Sequence, residues 1–309
     1  MMCIKERNAS DSTCKKLLRD KGCFADLCNY AFFQGRQVVQ PEELVSREND
    51  LSTLIGKVDK PTEIKRYRDV VRKASIHGEY VIIGVEHQRT FDEKMVFRIL
   101  NYDATIYINQ VESKQEIYPV GSFVFYTGDK EWKSPETLKE TLKNIPPEME
   151  PYINDWRLPV VELKTIDARK LTNQRLKEVV EISQSMFAGN YDDLRNNRKI
   201  ETESFMMAAT FTRTKIKRED LPEGDEINMC EAMDRLFQRF ENQGMEKGKI
   251  IGFEKGKSDT LKEQLKVKLG TLSRPLEKQL TNTSLEKLNE LTLNIFNVTS
   301  EEDVLRIIN

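Results

Sequence analysis

The chain has 309 residues, 49 Lys+Arg against 51 Asp+Glu, and a formal net charge of −2 at pH 7. That balance excludes a protein that holds nucleic acid through bulk positive charge, so any such contact must come from a local patch. No run of 18 apolar residues is present and the start lacks the apolar core of a secretory signal. The expectation is therefore a cytoplasmic protein with no membrane partner, large enough for one substantial core and a smaller appended unit.

Residues 13–33 read as helix, with Leu17, Leu18, Phe24, Leu27, Cys28, Ala31 and Phe32 at helical spacing. Ser12 can cap its start and Gly22 is a natural place for it to divide. Asp26 falls near the apolar face, where it would serve either as an acidic contact for a neighbouring site or as an acceptor for loop backbone. Cys3, Cys14, Cys23 and Cys28 crowd the same region without a C-x-x-C pair, so they read as reduced thiols that help fill a core. From Pro41 to Pro61 there are turn formers and no periodic pattern. Lys65 to Ala74 is strand-like. Ser75-Ile76-His77-Gly78 is a turn, and Val81-Ile82-Ile83 opens a second strand with the composition of one buried on both faces.

That second strand runs on through Gly84-Val85-Glu86-His87-Gln88. Side chains alternate with period two, so Glu86 and Gln88 share a face and His87 points the other way, where it reads as structural. A carboxylate at the end of a buried strand must meet a cation, a hydrogen-bond network or a metal ion. If the two strands form a hairpin, Asp69 and Glu86 can share a divalent ion. Mg²⁺ takes one or two carboxylates plus waters and substrate oxygens, and it activates water for phosphodiester hydrolysis. Gln88 could orient that water. Arg98 or Lys94 on the next helix would supply positive charge, and Arg98 could equally pair with Glu86 as a core ion pair. Around Asp69, Lys65, Arg66, Arg68, Arg72 and Lys73 form the one basic cluster suited to DNA phosphates, or else a solvated edge strand.

Further along, a helix is expected from about Asp92 to Asn109, with Met95, Ile99, Tyr102 and Ile106 down one face. Strands are expected over 117–127 and 158–165, separated by a Pro-rich surface segment, and helix predominates after about Leu171. Strands mixed with helices, then helices alone, give an α/β core with an α-helical extension. The expected divisions are a core over 1–170, a helical extension over 171–243, and a charged tail over 244–309. In that tail Gly244, Gly248, Gly252 and Gly256 recur every four residues, each costing about 1 kcal/mol of helix stability relative to alanine. The ridge they make would serve close helix approach in a homo-oligomer through the C-terminal helical region, or a charged tether.

Asp69, then Glu86-x-Gln88, then Phe91-Asp92-Glu93-Lys94-Met95-Val96-Phe97-Arg98-Ile99-Leu100-Asn101-Tyr102, resembles the recombination-promoting nuclease and putative transposase family, within the PD-(D/E)xK nuclease superfamily. Phe24 to Asn29, Tyr118 to Gly128 with Trp132, and the glycine-spaced segment extend the resemblance over roughly residues 20 to 260. Gln88 stands where the superfamily usually has lysine, although glutamine is typical of this family.

The resemblance implies a restriction-endonuclease-like core, a mixed sheet flanked by helices. It also implies a Mg²⁺-dependent DNA endonuclease, with Ca²⁺ or Mn²⁺ as alternative ions. Asp69, Glu86 and Gln88 would be catalytic, Asp69 and Glu86 the metal ligands, and Asp26, Lys94 and Arg98 auxiliary. Two other readings stay open. One is an inactive nuclease fold that binds DNA or protein. The other is a nuclease of a phage-defence system.

Overall fold

The computed structural model describes residues 4–45, 70–114 and 116–309, with side chains from residue 9 onward. Contacts divide the chain into two units, 1–234 and 235–309. The first holds a mixed four-stranded sheet in the order β1-β2-β3-β4, made of β1 (Val70–Ile76), β2 (Glu79–Gln88), β3 (Val120–Tyr126) and β4 (Val160–Glu162). β1 and β2 are antiparallel, with Val70 opposite Val85 and Ile76 opposite Glu79, whereas β3 and β4 continue the sheet in parallel. The β1–β2 turn is the expected one. His77 and Gly78 both take positive φ, 53° and 88°, the backbone of a two-residue hairpin whose twist matches that of the strands.

Helices cover both faces. On one side lie α1 (Ile4–Arg19), α2 (Lys21–Phe33), α5 (Gln174–Ala188) and α6 (Thr202–Thr212). Leu17, Leu18, Phe24 and Leu27 from the first pair, and Val179, Val180, Met207 and Phe211 from the second, bury Ile83, Val85, Phe123, Phe125 and Val161 of the sheet. On the other side α3 (Met95–Glu112) sets Met95, Val96, Ile99 and Tyr102 against Val124 and Tyr126, with Trp132 and Leu158 closing the cluster. The apolar stripe expected for this helix is the one that packs. A short α4 (Leu138–Thr141) leads towards β4.

Several expected boundaries moved. Helix begins at Ile4, so Ser12 lies inside α1 and caps nothing. The break comes at Asp20, whose carboxylate accepts from the Cys23 amide at 3.0 Å and starts α2. Gly22 does not divide the helix but makes room for a neighbour, since a Cβ there would lie 2.3 Å from Asn173 Nδ2. Cys14, Cys23 and Cys28 are buried free thiols, and burial, aided by the charge of Asp20, pushes the Cys23 thiol up. Residues 171–212 are not an extension, because α5 and α6 belong to the same core as α1 and α2. The chain divides at 234/235 instead of near 170 and 243. A two-stranded ladder, β5 (Lys199–Glu201) with β6 (Glu226–Asn228), interrupts the region expected to be all helix.

Among the described residues no helix is long and apolar enough to cross a membrane. α7 (Met229–Leu269) is 41 residues long. The second unit takes its C-terminal part with α8 (Arg274–Thr281), α9 (Leu285–Asn294) and α10 (Glu301–Ile308). Leu261, Leu265, Leu276, Leu280, Leu288 and Val304 form its core. Hydrogen bonds from Ser273 to Glu301, and from Thr299 and Ser300 to Asp303, hold both carboxyls below their usual range. Depressed acids add stability above their unfolded pKa values and lose it as pH falls through the folded ones, so a thermal melt of the chain is expected to show this unit losing a little stability on the acid side. A Cβ at any of the four tail glycines would meet no described atom within 4 Å.

Candidate active site

In the first unit β2 ends at Gln88, between the two helical layers. Glu86 is 5% exposed and Gln88 9%. Both lie on the α3 face, as the alternation predicted. Arg98, one turn into α3, donates from Nη2 to Glu86 Oε1 at 2.6 Å and from Nη1 to Asp92 Oδ2 at 3.0 Å. Burial alone would lower the Arg98 pKa, but Glu86 and hydrogen bonds to Tyr102 and Asp92 hold it above the ordinary value. Gln88 Nε2 donates to the same Glu86 oxygen at 3.1 Å. An ionised carboxylate only accepts, so this bond turns the Gln88 carbonyl oxygen away from Glu86. Parallel register then lines up Gln88, Tyr126 and Glu162 across three strands on this one face. Burial, with Asp129 and Glu162 nearby, raises the Tyr126 pKa; burial, with Glu140 and Glu162, raises that of Glu136.

His87 faces the opposite layer, as expected. Its Nδ1 meets Asp11 Oδ1 at 3.0 Å and its Nε2 meets Thr127 Oγ1 at 2.8 Å, between the rings of Phe125 and Phe211. Asp26 lies in that layer too, on α2. It accepts the amides of Thr172 and Asn173, both at 2.6 Å, and the Thr172 hydroxyl at 2.8 Å. This is the loop-backbone role, and the sheet stands between Asp26 and Glu86. Arg72 is turned towards α1, donating to the carbonyls of Leu18 and Arg19 at 3.0 Å each, with its guanidinium over the Phe24 ring. It closes a helix end. Lys73 is on the α3 face with its ammonium against two tyrosine rings. Lys94 is exposed at the start of α3, where its amide donates to Asp92. Asp69, Lys65, Arg66 and Arg68 lie outside the described residues. Among those described, no group of three or more His, Cys, Asp or Glu could hold a metal ion.

Two members of this neighbourhood escaped the sequence reading. Asp92 gives Arg98 a second carboxylate, but it stands in the loop before α3, where helical spacing carries no information. Glu162 accepts the Trp132 amide at 3.1 Å; only the register of β4 beside β3 brings it into the row.

A mixed α/β domain with a buried, ion-paired carboxylate at the end of a central strand is thus the class to which this part of the chain belongs. Residues 62–213 match the family described as "Putative transposase, YhgA-like". The match takes in Glu86, Gln88, Asp92, Arg98 and Glu162 and ends at Arg213, the residue that closes α6. Comparison with curated proteins and with solved structures gives no match.

Proposed function

We propose that this chain is a divalent-metal-dependent DNA endonuclease, with the end of β2 as its active site. The observation that carries the reading is Glu86: a carboxylate 5% exposed, placed where β2 leaves the sheet. Asp69 adjoins Val70 in the chain, and Val70 pairs with Val85. Glu86 and Asp69 would hold Mg²⁺, and the donor set fits, because this ion takes one or two carboxylates with waters and substrate oxygens completing its shell. The ion supplies activation of water and neutralisation of the charge that builds on the phosphate in the transition state.

The protein's own residues do the rest. Gln88 holds Glu86 through its amide nitrogen and offers its carbonyl oxygen to the attacking water. With Glu86 on a cation, Arg98 would keep Asp92 as a partner, which would hold its guanidinium in place for a phosphate oxygen. A second reading, an inactive fold that binds DNA, is favoured by the same ion pair, since Arg98 already satisfies Glu86.

A titration of Mg²⁺ against DNA cutting separates these readings at Gln88. Gln88→Ala is expected to lower the maximal rate by about a hundredfold, the scale of a misplaced reacting group, with the Mg²⁺ midpoint unchanged. Gln88→Lys, which places there the lysine usual in the superfamily that the sequence resembles, is expected to retain part of the rate. An unchanged maximal rate with a large shift in midpoint would make Gln88 a metal ligand instead. The inactive fold requires that no variant, nor the parent, cut at any metal concentration.

A further inference from the structure

At the far end of β2 from Glu86, on the same face, three side chains form a cluster that the active-site account does not use. The Lys73 ammonium lies 3.9 Å from the ring centroid of Tyr80 and 3.8 Å from that of Tyr118, and the two rings meet edge to face at 5.6 Å. Among the described residues no carboxylate forms an ion pair with Lys73. The rings attract its charge but accept none of its three N–H donors in the way a phosphate oxygen would.

Tyr80 is 43% exposed although a large aromatic ring gains from burial. Tyr118 is tied down at its backbone and at its hydroxyl. Gln110, fully buried on α3, accepts the Tyr118 amide at 2.7 Å and donates to its carbonyl at 3.3 Å, and the Tyr118 hydroxyl donates to Glu116 at 2.9 Å. A fixed ring, an exposed ring and an ammonium between them are the parts with which proteins grip unpaired nucleotides. The π-face takes a base and the cation takes its phosphate. Among the described residues Glu116 is the one carboxylate bonded to this cluster, at the Tyr118 hydroxyl.

We propose that Lys73, Tyr80 and Tyr118 bind an unpaired stretch of the DNA substrate, stacking a base on Tyr80 and pairing a phosphate with Lys73. Duplex DNA gains nothing at such a site, because its bases already stack on one another. The identity of the ligand as DNA rests on the nuclease reading. Tyr80 and Glu86 are six residues apart on one strand, about 20 Å at the rise of a β-strand, so the contact lies several nucleotides from the bond to be cut.

The test is equilibrium binding in EDTA, read by fluorescence anisotropy, with a labelled oligothymidylate and a blunt duplex of equal length. The full chain is expected to bind the single strand more tightly than the duplex. Tyr80→Ala should weaken single-strand binding about tenfold and leave duplex binding unchanged, whereas Tyr80→Phe, which keeps the ring, should bind like the parent. Lys73→Gln should reduce the slope of log affinity against log salt by about 0.7, the value for one phosphate contact on a single strand. Equal affinity for the two DNAs, or single-strand binding that survives Tyr80→Ala, would overturn the proposal. Tyr80 is exposed, so its variants test binding without threatening the core. Because no metal is present, a protein that binds through Tyr80 yet never cuts would refute the nuclease reading and leave this site standing.

Discussion

Glu86→Gln is expected to lower the proposed Mg²⁺-dependent cutting by about a hundredfold or more and to leave the protein folded. Glutamine keeps the volume of the side chain, and its carbonyl oxygen can still accept from Arg98 and Gln88, whose bonds to Glu86 are 2.6 and 3.1 Å. What disappears is the negative charge that a hard cation requires. Arg98 is not stranded by the change, because Asp92 remains 3.0 Å from its other terminal nitrogen and its side chain is 35% exposed. Thermal melting should therefore move by only a few degrees while the cutting rate collapses. A variant that cuts at the parent rate would take Glu86 out of the chemistry and leave it as the partner of Arg98 alone.

Asp26→Ala has the largest expected effect on stability. Asp26 is 2% exposed and joins α2 to the chain entering α5 through three short bonds. The same junction includes Asn173, whose side chain accepts the Leu176 amide at 3.0 Å to start α5 and the Cys23 thiol at 3.1 Å. Alanine would leave the amides of Thr172 and Asn173 without their acceptor. Losing hydrogen bonds to a buried charged group costs about 3 kcal/mol, which in a unit of this size lowers the melting temperature by roughly 6–12 °C. A thermal melt at neutral pH reads it, and a shift of under two degrees would contradict the anchor. The milder Asp26→Asn should still cut DNA when assayed well below its melting point, because the sheet separates this residue from Glu86. If the folded asparagine variant cannot cut, Asp26 reaches the chemistry after all.

The contrast between these two carboxylates shows what a sequence can and cannot reveal. The face of Glu86 was legible because strand alternation is a local rule, and the short β-branched apolar run before it marked a buried strand. The turn at His77-Gly78 and the stripe from Met95 to Ile106 were legible for the same reason, as was Arg98 as a cation within reach of Glu86. Asp26 was ambiguous because its partners lie 146 and 147 residues away in sequence. Its burial predicted an obligation to hydrogen-bond but not to what.

Arg72 failed differently. The sequence placed it in a basic cluster suited to DNA phosphates or a solvated edge, but its side chain turns onto the end of α1, where the carbonyls of Leu18 and Arg19 take its donors. The β5–β6 ladder has three residues per strand and one buried isoleucine in each, too short for any period to show. Residues 171–212 carry helical patterns that look like an extension. That α5 and α6 complete the core beneath the sheet is a fact of packing, invisible until Val179 and Phe211 are seen in one cluster with Phe125 and Leu27.

The central claim is that Asp69 and Glu86 act together through a divalent ion. Supercoiled plasmid incubated with the full chain, in EDTA and in Mg²⁺, beside Asp69→Asn under the same conditions, tests it most directly. The prediction is nicking or linearisation with the parent protein in Mg²⁺ only, and intact plasmid with Asp69→Asn throughout. Cutting that persists in EDTA, or an Asp69→Asn protein that matches the parent rate, would contradict it.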